Sequence, residues 1–217
     1  MAVSSDRRGP RAPKRPGREA RGGRAAERAR TATRARLRAS GQKLLAERGL
    51  HAVTSHDIAS AAGVAAGTFY LHFKDKEELF RELVFDAVGE LLRRFETAVR
   101  PLRERPQAAA RARAEVLLAF GEEHSELVRL AFGRGAEAAS AGADALDQLA
   151  SKLERDLREQ AGHGGAGLHP SVTAQAIVGM WARVVSWWAE SPGRAPRAAV
   201  LQTMVDLQLS GIRGGTR

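Results

Sequence analysis

An all-α fold is predicted by three features of this 217-residue sequence. From Thr33 onward, apolar residues recur at spacings of three and four, which gathers them on one face of a helix. Breaks containing Gly or Pro divide that pattern into helix-sized pieces. No piece alternates apolar and polar residues between turn signals, as a half-buried strand would. The expected order is an N-terminal three-helix unit followed by a C-terminal helical bundle.

Residues 1–30 are rich in Arg, Ala, Gly and Pro and nearly lack large apolar side chains. Such a segment cannot bury enough surface to offset its ordering entropy, so a disordered basic arm is expected. Residues 1–38 carry thirteen Arg or Lys against three acids, whereas residues 39–217 carry twenty-two of each sign. The whole net charge of +10 therefore belongs to the N-terminal end. Two readings stand for the arm: a solubilising tail, or a segment that attracts a polyanion.

Leu37, Gly41, Leu44 and Leu45 share one face of the first helix, which Gly49 stops. Thr54 caps a short second helix, Ser55 to Ala62, with Asp57 as its capping-box partner. Gly63 ends that helix, and a third runs from about Ala65 to Phe73. Asp75 caps a long fourth helix, with Glu78 three residues on. Its stripe is Leu79, Phe80, Leu83, Val84, Val88, Leu91, Leu92, Phe95 and Val99. Further helices are expected near 107–119, 122–133, 143–161, 170–190 and 195–212.

Cysteine is absent, which excludes disulfides, thiolate zinc sites and cysteine nucleophiles and fits a cytoplasmic setting. No apolar run reaches the length of a membrane span, and no signal peptide is recognised. No Gly-x-Ser-x-Gly, Walker loop, dinucleotide fingerprint or His-Glu-x-x-His occurs, so neither an enzyme nor a cofactor or metal site is expected.

Thr54 to Phe73 has the parts of a helix-turn-helix. Ala59 is the small residue at the crossing, Gly63 serves the turn, and Ile58, Val64, Phe69 and Phe73 lock the two helices. The stretch GLHAVTSHDIASAAGVAAGTFYLHFKDKEELF resembles the DNA-binding domain of TetR-type (TetR/AcrR) transcriptional regulators. The likeness covers about residues 31–91, with the helix-turn-helix at 54–73, and leaves 92–217 as a C-terminal regulatory and dimerisation domain.

The resemblance implies that the chain binds a near-palindromic double-stranded operator as a homodimer and acts as a ligand-responsive repressor. A DNA-binding dimer without a small-molecule ligand, or an activator, remains the alternative. It implies that Thr54 and Ser55 hold a phosphate at a helix N-terminus. Gly67 would admit the backbone close to DNA, and Thr68 would meet a base edge or a thymine methyl. Tyr70 and His72 would contact phosphate, and Lys76 would clamp another at the start of the fourth helix. A cation there opposes the helix dipole unless an anion is near. Ala65 and Ala66 depart from the family pattern of a serine followed by a polar residue. Readout would then lean on Thr68, Tyr70 and apolar contact from Ala66, with phosphate contacts carrying more of the affinity.

The bundle residues Phe85, Leu92, Phe120, His124, Phe132, Leu149, Met180 and Trp181 either fill a core or, as the resemblance implies, line a pocket for a small, mainly apolar effector. The last two helices would pair across a dimer through Val185, Trp188, Leu201, Met204 and Val205, on apolar faces that run on to Leu209 and Ile212.

Overall fold

The computed structural model describes residues 17–102, 104–132, 139–161 and 168–210, and every regular element among them is helical. The N-terminal helices are α1 (Gly17–Arg48), α2 (Ser55–Ala61), α3 (Ala66–Tyr70) and α4 (Lys76–Val99). The bundle adds α5 (Pro106–Glu123), α6 (Ser125–Phe132), α7 (Ala139–Ala161), α8 (Pro170–Ala189) and α9 (Arg197–Ser210). The short bounds match their signals. Thr54 and Asp57 form a reciprocal capping box on α2, and the Asp75 side chain accepts from Glu78 N at 2.7 Å. Gly49 and Gly63 take positive φ, 80° and 68°, where the chain leaves α1 and α2.

The start of α1 departs from expectation. The helix extends back to Gly17, into the segment expected to be disordered; residues 1–16 lie outside the described residues. Arg and Ala are strong helix formers, and extending an existing helix needs no new nucleus. Composition that cannot build a core can still continue a helix.

Two apolar cores share α4. The first gathers Leu37, Leu45 and Ile58 with Phe69 and Phe73 around Leu79 and Phe80, and reaches Leu130 and Ala131 of α6. The second joins Leu91 and Phe95 to Leu118, Val178, Trp181 and Met204. Leu92, Leu127, Phe132 and Leu149 pack against both. Close crossings fix the layout. A Cβ on Gly41 would lie 2.7 Å from Leu79 Cδ2, and one on Gly121 would lie 2.5 Å from Val185 Cγ1. Glycine lets α1 settle on α4 and α5 on α8.

The five residues expected to meet a second chain are buried within this one. Val185 and Trp188 are 3 % exposed, Leu201 4 %, Met204 1 % and Val205 7 %. α9 packs along α5 and spends its apolar face there. Trp188 Nε1 donates to Ala195 O at 3.1 Å, so even its polar atom is satisfied internally. Ile212 lies outside the described residues.

Lys76 has an internal role that the sequence did not reveal. Its ammonium donates to Leu50 O at 2.6 Å and Val53 O at 2.8 Å. The cation thus ties the α1–α2 connection to the start of α4. The unfavourable dipole at that position is answered by two carbonyls, without a phosphate. Lys76→Met should lower the unfolding free energy of the DNA-free protein by about 1–3 kcal/mol, since the two carbonyls lose a charged donor. Urea denaturation measures this, and an unchanged midpoint would remove the clamp.

Candidate nucleic-acid interface

α3 is only five residues long, and its N-cap Ala65 makes no side-chain hydrogen bond. A helix this short does not stand alone in water, so tertiary contacts must hold it. Phe69 is 0 % and Phe73 2 % exposed, and their ring centroids are 5.6 Å apart. Val64 N donates to Ala59 O at 3.0 Å across the turn. Arg34 of α1 secures the other end. Its Nη1 donates to His72 O at 2.8 Å, its guanidinium lies 4.4 Å from the Phe73 ring centroid, and it forms an ion pair with Glu82 of α4. Arg34 carries no motif signal in the sequence; it sits among many arginines, and only the fold selects it.

With its inner face occupied, α3 turns Gly67, Tyr70 and Leu71 to solvent. Tyr70 is 62 % and Leu71 72 % exposed. Tyr70 stands edge-on to Phe69, and its hydroxyl makes no hydrogen bond to the described residues. Ala66, Thr68 and His72 are half-buried beside this face. Leu71 adds an apolar side chain at the helix end, two residues from both Phe69 and Phe73 and so turned away from them. A Cβ on Gly67 would meet nothing within 4 Å, so nothing inside the described chain requires a glycine there.

Thr54 and Ser55 sit at the start of α2, next to this face. The Thr54 hydroxyl accepts from Asp57 N at 3.1 Å and donates its own hydrogen to Asp57 Oδ2 at 2.6 Å. That donor is therefore not available to a phosphate while the capping box stands. The same hydroxyl, first among its causes, holds the Asp57 carboxyl below the usual carboxylate range. Backbone N–H groups of the first turn remain for an anion. His72 titrates below the ordinary histidine range, chiefly through burial, then through Arg30 and Arg34. Lys76 lies behind this surface, on the two carbonyls already described.

Arg24, Arg28 and Arg30 on the N-terminal extension of α1 are all exposed. Arg30 is close enough to His72, just beyond α3, to act on its ring. Its positive field borders the exposed face.

The C-terminal residues expected around a pocket divide into two groups. Phe120 and Trp181 are buried in the second core, Leu92, Phe132, Leu149 and Met180 are half-buried against it, and Trp181 packs 5.7 Å from Phe95. Phe85 corrects the expectation of an inward-facing wall: it is 61 % exposed, because it lies on the flank of α4 opposite the buried stripe. Phe85 and His124 instead line a cavity of about 500 Å³ beside α1.

An all-helical chain that mounts an exposed short helix on a helix-turn-helix core, and rests it on a separate helical bundle, is built as a DNA-binding regulator. Residues 37–83 match the family model described as bacterial regulatory proteins, tetR family. The chain is 41 % identical over 63 residues to the HTH-type transcriptional repressor KstR2 of Mycolicibacterium smegmatis (strain ATCC 700084 / mc(2)155), a stretch covering 27 % of this chain and 31 % of that one. That match spans about a third of the repressor's length. The fatty acid metabolism regulator protein of Bacillus subtilis (strain 168) is 25 % identical over 182 residues, covering 78 % of this chain and 90 % of that one. The crystal structure of the transcriptional regulator FadR from Bacillus subtilis in complex with stearoyl-CoA superposes with a TM-score of 0.66, at 23 % identity, covering 82 % of this chain and 98 % of that one. Residues 37–83 thus form a DNA-binding domain of the tetR-family type, and the chain beyond them is similar in fold to regulators that carry such a domain.

Gly67→Ala should leave the fold intact or raise its stability by up to about 1 kcal/mol, from the helix propensity of alanine. The same change should weaken DNA binding, because a methyl group intrudes where the backbone approaches. Thermal unfolding and fluorescence anisotropy on a selected site read the two effects separately. Equal DNA affinity in the variant would remove the close-approach role.

Proposed function

We propose that the chain is a ligand-responsive repressor that binds a near-palindromic operator as a homodimer. The observation that carries this reading is the exposed α3 face, with no neighbour at Gly67 and no hydrogen bond at the Tyr70 hydroxyl among the described residues, packed on a core that α4 continues into the regulatory bundle. Thr68 and Ala66 meet base edges, and Tyr70 and His72 meet phosphate. Ser55 and the first-turn backbone of α2 hold a second phosphate, with Thr54 shaping that turn through its cap and Gly67 setting the approach. The basic extension of α1 adds salt-sensitive attraction to the neighbouring backbone. We assign the DNA-binding unit to about residues 31–91 and the regulatory and dimerisation unit to 92–217.

The dimer forms through the outward faces of α8 and α9, not their buried ones. Val172, Ala176, Gly179 and Arg183 are exposed along α8, and Ala199, Thr203 and Leu207 along α9. A Cβ on Gly179 would meet nothing within 4 Å of the described chain, yet glycine inside a helix costs about 1 kcal/mol against alanine. Close approach of the two-fold mate gives that glycine a purpose. The effector offers a long apolar chain to the bundle, and a long-chain acyl-CoA, apolar in its acyl part and anionic in its head, is the class suggested by the solved relative named above. It acts by binding one arrangement of the two DNA-binding units more tightly than the other.

Gly179→Leu should convert a dimer to a monomer without loss of helix content, read by sedimentation and circular dichroism. A variant that stays dimeric would place the interface elsewhere. Stearoyl-CoA should raise the apparent dissociation constant for an operator selected from a random DNA pool by about tenfold, a coupling of roughly 1.4 kcal/mol. Unchanged affinity at saturating ligand would overturn the effector class.

A further inference from the structure

The cavity of about 500 Å³ lies between α1, the outer flank of α4 and the α5–α6 junction. Its acids are already answered. Asp86 is ion-paired with Arg38 of α1, and Glu90 with Arg94, which also reaches Glu123 at 2.7 Å. Its nitrogens are not. Arg38 Nε and His124 Nε2 are buried without a hydrogen-bond partner among the described residues. His124 Nε2 lies 3.8 Å from Glu90 Oε2, too far for a hydrogen bond. The Arg93 guanidinium at the rim makes no ion pair or hydrogen bond to the described residues. Arg93 also lines the groove between α4 and α5 that opens beside the cavity.

A cavity whose acids are paired and whose donors are free is short of an acceptor. A buried Nε–H without a partner costs about 1–3 kcal/mol, and an anion supplies what it lacks. A cation would face two guanidinium groups instead. The volume exceeds that of a bare ion and falls within the range of small-molecule sites. Phe85 and Leu127 provide apolar wall, and the outward turn of Phe85 gains a purpose there.

We propose that this cavity binds the anionic group of an amphipathic ligand, a carboxylate or a phosphate, through Arg93 and the free Nε of Arg38, with the ligand's apolar part against Phe85 and Leu127. Arg38 also holds Asp86, and so ties α1 to α4. An anion on the same guanidinium competes with Asp86 and loosens that tie. Binding stands on the cavity alone; only its effect on DNA rests on the repressor reading above.

The test is calorimetric titration of the full chain with decanoate, decyl phosphate and the neutral decanol. The two anions distinguish a carboxylate from a phosphate as the better-matched group. Arg93→Met keeps the apolar stem at an exposed position and should weaken both anions at least tenfold while leaving decanol unchanged. Asp86→Asn should tighten the anions, because it removes the competing carboxylate. Equal binding of anions and decanol with no response to either variant overturns the site, as does the absence of anion binding. Stearoyl-CoA that releases DNA from Arg93→Met as readily as from the parent, with no anion bound, overturns the site and leaves the repressor reading standing. Anions that bind through Arg93 without releasing DNA support the site and count against its effector role.

Discussion

The structure depends on the long helix α4, which runs through both cores. The N-terminal half of α4 closes the helix-turn-helix unit through Leu79 and Phe80, and its C-terminal half supports the bundle through Leu91 and Phe95. An uninterrupted apolar stripe is needed for this, and an α-helix keeps its side-chain directions only while it stays straight. The contact of Leu79 with Gly41 brings α1 onto the same helix so closely that a Cβ there would lie 2.7 Å from Leu79 Cδ2 and force that side chain to shift. Around that apolar contact stand the ion pairs Arg34–Glu82 and Arg38–Asp86. Their side chains are about a third exposed or more, so they set register between α1 and α4 more than they hold the fold.

The recognition helix shows the same division between support and display. α3 has neither the length nor the cap to exist alone. Phe69 and Phe73 anchor it from within, Arg34 holds its C-terminal carbonyl, and Lys76 fixes the connection that precedes α2. The exposed face is then free of structural duty. Gly67 on that face accordingly has no neighbour within the described chain. A side chain needed for folding could not also be given to DNA without cost to one of them.

Most of the fold was legible in the sequence because its signals are local. Caps at Thr54 and Asp75, glycines at 49 and 63, and the α4 stripe depend on residues three or four apart. The failures concern partners, which periodicity does not name. The apolar faces of α8 and α9 were evident, but a face reads the same whether α5 or a second chain covers it. Phe85 was apolar and near the right helix, yet it sits off the stripe, and its angular position outweighs its chemistry. The internal partners of Lys76 are invisible in the sequence, because carbonyls 23 and 26 residues away leave no trace in the local pattern. The early start of α1 was missed for the opposite reason: lack of a core was allowed to outweigh strong intrinsic helix propensity.

The shared helix also limits how a bundle ligand can act on DNA. The first core runs from α2 and α3 through α4 into Leu130 and Ala131 of α6, and close-packed interiors do not deform continuously. A tilt of α4 therefore carries the helix-turn-helix unit with it, because Leu79 and Gly41 leave no slack between α1 and α4. The seam that must give is the one between α1 and α6, where contact is slight compared with that between α4 and its neighbours. The polar cavity opens beside that seam, with Arg38 on one wall and His124 on the other. A ligand there would act beside a thin attachment, where a differential of one or two kcal/mol, about that of typical allosteric coupling, is enough to shift the balance.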